Sequence, residues 1–388
     1  MEKMKGLDMS LGINVETMTE ILRQYDVTFF TGVPDSRLKP LCNYLISNYG
    51  VSDKHIIAAN EGNSVAIAAG YHLATGKIPV VYMQNSGIGN TINPITSLLN
   101  ESVYGIPCVF IIGWRGEPGI KDEPQHIFQG KVTLELLELM NINYIILDKK
   151  STEKSLAEKM YEFKSMLDVG KSVAFVVKDG ALIYNDKVQY KNNYSISREK
   201  IINHITNAAK GDVIVSTTGK TSRELFEIRE YNKEPHKYDF LTVGSMGHSS
   251  SIALGIALNR KKTRIWCIDG DGAALMHMGA MAVIGSNSPS NFVHVVINNG
   301  AHESVGGMPT VANDIDFKQV ALGCGYKHAY SISEIDKMDD VLLKIKNQEG
   351  PIFIEIKSAI GSRKDLGRPT TTPQDNKKAF MEYLRGLK

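Results

Sequence analysis

The sequence predicts an α/β chain built from two doubly wound, parallel-sheet domains. Three observations carry this prediction. Apolar, β-rich runs alternate with helix-period segments along the whole chain. The runs are continuously apolar rather than alternating, as in strands buried on both faces. A polar stretch divides them six and six. Such a βαβ rhythm builds parallel sheets with helices on both faces.

The elements follow in order. In the first half, strand-like runs fall in 27–34, 55–62, 78–87, 106–116, 144–148 and 172–180, with helical patterns such as 37–50 and 64–76 between them. In the second half they fall in 212–219, 239–247, 263–272, 291–300, 326–332 and 350–358, separated by helical patterns such as 198–211 and 338–350. The segment around "ALIYNDKVQYKNNYSISREK" is rich in Asn, Lys and Tyr and lacks helical period until Ser197. It predicts a boundary of the kind that separates domains. The expected organisation is a first domain over 1–182, a linker over 183–196 and a second domain over 197–388.

Composition narrows the function classes. Hydrophobic residues make up 43% of the 388 and charged residues 22%, with a net charge of +2. No strong field favours nucleic acid or an anionic membrane. Cys42, Cys108, Cys267 and Cys324 are scattered without C-x-x-C spacing and read as buried thiols. The opening "MEKMKGLDMS" has no apolar core, and no run approaches 18 apolar residues. The expectation is a cytoplasmic protein with no nucleic-acid or membrane partner.

Glycine-bearing turns end many of the runs, where doubly wound sheets bind ligands. Gly270-Asp271-Gly272 ends one run and Asn298-Asn299 the next, with 25 residues between Gly272 and Asn298. Free N–H groups at the start of the following helix, expected near Ala273, suit phosphate oxygens. Asp271 would repel phosphate unless a cation bridged them. Mg2+ fits, since it takes oxygens from one or two carboxylates, phosphates and water. Alone, G-D-G is an ordinary tight turn; paired with the asparagines it points to one shared metal. "STTGKTSRE" invites a phosphate-loop reading, which fails because the glycine required five residues before Gly219 is Ile214. A nucleotide-dependent oxidoreductase would need G-x-G-x-x-G after a first strand, and neither half begins that way.

G-D-G followed after about 25 residues by N-N resembles the thiamine-diphosphate signature of the pyruvate-decarboxylase and acetolactate-synthase superfamily. The resemblance implies the thiamine-diphosphate-binding fold in both domains, with thiamine diphosphate and Mg2+ as cofactors. Asp271 and Asn299 would bind the metal through side chains and Ala301 through its carbonyl. Gly270, Gly272 and Ala273 would face the diphosphate, with Thr218 and Gly219 beside it. In "VGSMGHSSS" the large apolar Met246 would prop the bent cofactor, flanked by Gly244 and Ser245. "NEGNSVAIAAGYHLATG" echoes the family's activating-glutamate pattern, so Glu61 would protonate the aminopyrimidine and favour loss of the thiazolium C2 proton. "TGVPDS" would bring Asp35 near the substrate, one residue short of the usual pattern. His126 in the 114–130 loop and His302 after "NNG" would complete the catalytic set.

Most members of the superfamily have a third domain, for which this chain has no room. "TGVPDSRLKPL", "RGEPGIKDEPQH", "NNGAHESVGGMPT" and "GSRKDLGRPTTTP" are similar to the phosphonopyruvate decarboxylase family and its sulfopyruvate decarboxylase cousins. The cousins are often split into two subunits, which favours the phosphonate enzyme for a fused chain. The implied substrate is a 2-keto acid with a C3 phosphonate, held by buried cations among Arg363, Arg368 and Arg115. The resemblance also implies a homodimer or higher homo-oligomer with its cofactor between subunits. A sulfopyruvate decarboxylase and a non-catalytic cofactor-binding protein of the same fold are the alternatives.

Overall fold

The computed structural model describes residues 12–387. The N-terminal "MEKMKGLDMS" read above lies outside the described residues. The chain forms two compact units, one reaching Gln189 and the other starting at Tyr190.

The first unit contains β1 (Ile13–Asn14), β2 (Phe29–Gly32), β3 (His55–Ile57), β4 (Pro79–Gln84), β5 (Val109–Gly113), β6 (Asn143–Leu147), β7 (Val173–Val177) and β8 (Leu182–Ile183). Six of these form a parallel sheet in the order β3-β2-β4-β5-β7-β6. The four central strands are buried almost throughout, which explains their unbroken apolar sequence. One face packs Val81, Phe110 and Ile112 against Val65, Ala68 and Leu137 of the covering helices. The small residues of the helix Glu61–Thr75 let it lie close to β2 and β4. Asn60 caps that helix by accepting from Asn63 N at 2.8 Å, and Gly76, with φ of 69°, ends it.

The second unit contains β9 (Val213–Ser216), β10 (Asp239–Leu241), β11 (Ile265–Gly270), β12 (Phe292–Asn298), β13 (Ala301–His302), β14 (Met308–Pro309), β15 (His328–Ile332) and β16 (Ile352–Lys357). Its parallel sheet runs β10-β9-β11-β12-β16-β15. Numbered within its own unit, each sheet has the order 2-1-3-4-6-5. The direction of winding reverses between β2 and β4 in one unit and between β9 and β11 in the other. Those reversal points are where doubly wound sheets open a crevice at their carboxyl ends.

All twelve strand-like runs become sheet strands. Three expectations change. The helix after G-D-G starts at Asp271, two residues before Ala273. His126 stands in the first turn of the helix Pro124–Leu139 rather than in a loop, because Pro124 supplies an N1 residue that needs no N–H partner. The polar boundary segment is tied down. β8 pairs with β1, and Asn192 Nδ2 donates to Asn299 O and Ser358 O, both at 2.9 Å. No helix among the described residues is long and apolar enough to cross a membrane.

Candidate active site

Each unit carries predicted site residues at the carboxyl ends of its sheet strands. In the first unit, Asp35 follows β2 and is wholly buried. Gln84 Nε2, at the end of β4, donates to Asp35 Oδ1 at 2.5 Å, and Arg37 N donates to Oδ2 at 2.9 Å. Burial pushes the Asp35 carboxyl up, against these hydrogen bonds.

The turn after β4 joins Asp35 to Glu61. Asn85 Nδ2 donates to Arg115 O at 2.9 Å, and Asn85 Oδ1 accepts from Arg115 N at 3.0 Å. Ser86 Oγ donates to Gln84 Oε1 at 2.7 Å. Asn90 Nδ2 donates to Glu61 Oε2 at 2.7 Å. Gly87 is required here, since a Cβ at this position would stand 2.5 Å from the Glu61 carboxylate. The glycine turn "QNSGIGN" therefore positions both carboxyl groups. Glu61 is 5% exposed, and burial raises its pKa while Asn90 partly offsets the rise. A carboxyl whose hold on its proton is strengthened by burial suits proton exchange with a ring nitrogen.

Arg115 extends from β5 and chelates Asp122 through Nε, at 2.8 Å, and Nη2; its Nη1 donates to Ser36 Oγ at 3.2 Å. Arg37, not anticipated from the sequence, approaches the same Asp122 at 3.9 Å and pairs with Asp179. His126 is half-buried. Burial, then the nearby Arg115, depress it to about 4, and its Nδ1 is buried without a hydrogen-bond partner.

In the second unit Asp271 is 3% exposed at the start of its helix. Thr310 Oγ1 donates to Asp271 Oδ2 at 2.5 Å. Burial raises its pKa to about 6, against the Thr310 hydroxyl and the backbone N–H groups of Gly272 and Asn299. The asparagine pair divides its work. Asn298 Nδ2 donates to Glu355 Oε1 at 2.7 Å inside the sheet, and Asn298 Oδ1 accepts from Gly300 N at 2.9 Å. Asn299 leans the other way, and its backbone N–H reaches Asp271. The short β13–β14 hairpin, which the sequence did not announce, carries Ala301 and returns the chain to Thr310. Asp271, Asn299 and Ala301 each carry an oxygen of the kind a hard divalent cation takes, and the buried Asp271 carboxylate has no cationic partner among the described residues.

The other predicted residues surround this point. Gly219, with φ of 90°, caps the helix Lys220–Tyr231, and Thr218 Oγ1 accepts from Gly244 N at 3.0 Å. Ser245 takes a left-handed φ of 48°, unusual for a non-glycine residue, and turns the chain at Met246. A Cβ on Gly272 would lie 3.3 Å from both Met246 and the His302 ring, so all three residues share one small space beside Ala273. His302 is 9% exposed, and burial lowers it to about 4. His248 and His277, also unanticipated, pair at a ring-centroid distance of 4.3 Å on the Gly247 side of the same turn.

The tail arginines are placed otherwise. Arg363 is exposed and pairs with Glu199, Glu227 and Asp365. Arg368 is exposed as well. The expectation of buried tail cations does not hold within the single chain, where both arginines stay exposed.

Residues 15–138 match the thiamine pyrophosphate enzyme N-terminal TPP binding domain, and residues 217–356 match the C-terminal TPP binding domain. The phosphonopyruvate decarboxylase of Streptomyces viridochromogenes is 34% identical over 382 residues, covering 92% of this chain and 91% of that one. The sulfopyruvate decarboxylase of Methanosarcina acetivorans is 26% identical over 394 residues, covering 95% and 97%. The sulfopyruvate decarboxylase subunit beta of Methanococcus maripaludis is 30% identical over 190 residues, covering 49% of this chain and 98% of that one. A sulfopyruvate relative can thus be a single chain, so fusion does not separate the two substrate classes. With both cofactor-binding domains matched and the curated likeness running nearly end to end, the chain belongs to the phosphonopyruvate decarboxylase family of thiamine pyrophosphate enzymes.

Proposed function

We propose that this protein decarboxylates 3-phosphonopyruvate to phosphonoacetaldehyde and CO2, using thiamine diphosphate and Mg2+. The observation that carries the reading is the near full-length likeness to a phosphonopyruvate decarboxylase, at 34% identity against 26% for the single-chain sulfopyruvate enzyme. Bound thiamine diphosphate supplies the electron sink for the pair released as the bond to the departing carboxylate breaks. Glu61 holds a proton for the aminopyrimidine nitrogen, and the turn 84–90 keeps its carboxyl in place. A non-catalytic cofactor-binding protein has no use for such a carboxyl.

Asp271, Asn299 and the Ala301 carbonyl would hold Mg2+. Gly270, Gly272, Ala273, Thr218 and Gly219 would line the diphosphate, and Gly244, Ser245 and Met246 would support the bend of the cofactor. Asp35, His126 and His302 would face the reacting carbons. Arg115, with Arg37 beside it, is better supported than Arg363 or Arg368 as the phosphonate partner. It stands at the end of β5, hydrogen-bonded through Asn85 to the turn that also positions Glu61. Its Nε–Nη2 edge is taken by Asp122, so a phosphonate would meet the Nη1 side, next to Arg37.

The assembly would be a homodimer or larger, with the cofactor between subunits. The exposed Ile127 and Phe128 beside His126 support this, at 56% and 70% exposure, because such apolar side chains favour cover by a partner. The chain would divide functionally into a first domain over 1–182 and a second over 197–388, joined by 183–196.

The test is kcat/KM for phosphonopyruvate, sulfopyruvate and pyruvate, with CO2 detection. Phosphonopyruvate should exceed pyruvate by roughly 10⁴, because a site built for a polar group rejects the analogue that lacks it. Equal use of pyruvate would sink the substrate assignment. Preference for sulfopyruvate would install the second reading, which the single-chain M. acetivorans relative favours.

A further inference from the structure

Asn299 is held at both ends of its side-chain amide. Nδ2 donates to Glu303 Oε2 at 3.0 Å, and Oδ1 accepts from Ala301 N at 3.0 Å. A carboxylate accepts only and a backbone N–H donates only, so the two partners impose the same orientation. Without them the amide could present either end to Asp271, and an NH2 group aimed at a cation repels it. The Asn299 carbonyl is fixed as well, by Asn192 Nδ2 at 2.9 Å.

Glu303 is itself anchored. Its Oε2 accepts from Arg198 Nη1 at 2.9 Å and its Oε1 from Lys220 Nζ at 2.7 Å. Arg198, buried at the first position of its helix, is gripped by Glu224 through Nε at 2.7 Å and Nη2 at 2.8 Å. Lys220 directly follows Gly219 in the turn after β9. Two carboxylates and two cations thus form a neutral, closed network that touches the start of the helix Lys220–Tyr231 and the Asn299 turn together. Among the described residues, the network's outward side-chain hydrogen bond goes to Asn299.

We propose that Glu303 is a positioning residue for the metal site, setting the Asn299 amide so that Oδ1 faces the cation. The proposal rests on the Mg2+ assignment above. Polar partners of metal ligands typically cost roughly 10–100-fold in metal affinity when removed. Glu303→Gln loses the acceptor that demands an N–H from Asn299, because its own amide can turn either way.

The experiment is Mg2+ titration at fixed thiamine diphosphate, followed by tryptophan fluorescence and calorimetry, on wild type, Glu303→Gln, Asn299→Ala and the double variant. Mg2+ affinity should fall roughly 10–100-fold in Glu303→Gln. The double variant should match Asn299→Ala within about 3-fold, because residues acting through one another are non-additive. If Glu303→Gln does not fold, Glu303→Asp carries the test, since it keeps the charge but falls short of Asn299; the same loss is expected. Unchanged Mg2+ affinity in the soluble variant, or losses that multiply in the double variant, would overturn the proposal. Failure of wild type to bind thiamine diphosphate with Mg2+ would overturn the metal assignment and this inference together.

Discussion

Asp271 carries a pH signature that metal binding should expose. In the folded chain its carboxyl is raised from 3.8 to about 6, so between those values the native state binds more protons than the unfolded state. Its contribution to apo stability is full below about pH 4 and is lost as pH rises through about 6. A cation takes only the ionised form, so binding at pH 6 should release roughly half a proton. Calorimetry of Mg2+ with thiamine diphosphate in two buffers of different ionisation heat measures this directly; heats independent of buffer would contradict it. The Tm gain from both ligands should also be larger at pH 7.5 than at pH 5. Glu61 answers to a different readout. Glu61→Gln should still bind cofactor but exchange the thiazolium C2 proton slower by roughly 10²–10⁴-fold, the usual weight of a general acid–base group. Wild-type exchange in that variant would pass the role to another residue. The placement of Asp271, Asn299 and Glu61 at strand ends was legible in the sequence because turn glycines and small-residue helices mark those ends. Arg37, Glu303 and the His248–His277 pair were not, because their importance lies in partners distant along the chain.

The turn after β4 shows how an element can be visible while its work is hidden. "QNSGIGN" reads as a structural glycine turn, and its contacts reach Asp35, Arg115 and Glu61, which lie 49, 30 and 29 residues away in sequence. No local pattern encodes such pairings. Gly87→Ala tests the element. A Cβ there would stand 2.5 Å from the Glu61 carboxylate, so the carboxylate must move from the place where Asn90 holds it. Far-UV circular dichroism should be unchanged while C2 proton exchange falls toward the Glu61→Gln level; exchange at the wild-type rate would mean the turn is not needed to place Glu61. The twelve sheet strands were readable because burial on both faces leaves long apolar runs. β1 with β8, and β13 with β14, are two residues each, too short for any period to register.

For the molecule as a whole, the proposed assembly makes a strong prediction. Glu61→Gln and Asp271→Ala chains should each be inactive, yet refolding them together should restore part of the activity, since mixed oligomers would contain one site with both residues intact. Absence of any recovery, or full turnover by a monomer at assay concentration, would reject the shared site. The two sheets share the strand order 2-1-3-4-6-5. If the cofactor lies between subunits, the first unit of one chain and the second unit of its partner would serve one site. The consequence is genetic. Loss-of-function alleles should sort into two complementation groups that follow the halves of the coding sequence, and crosses between groups should rescue where crosses within a group do not.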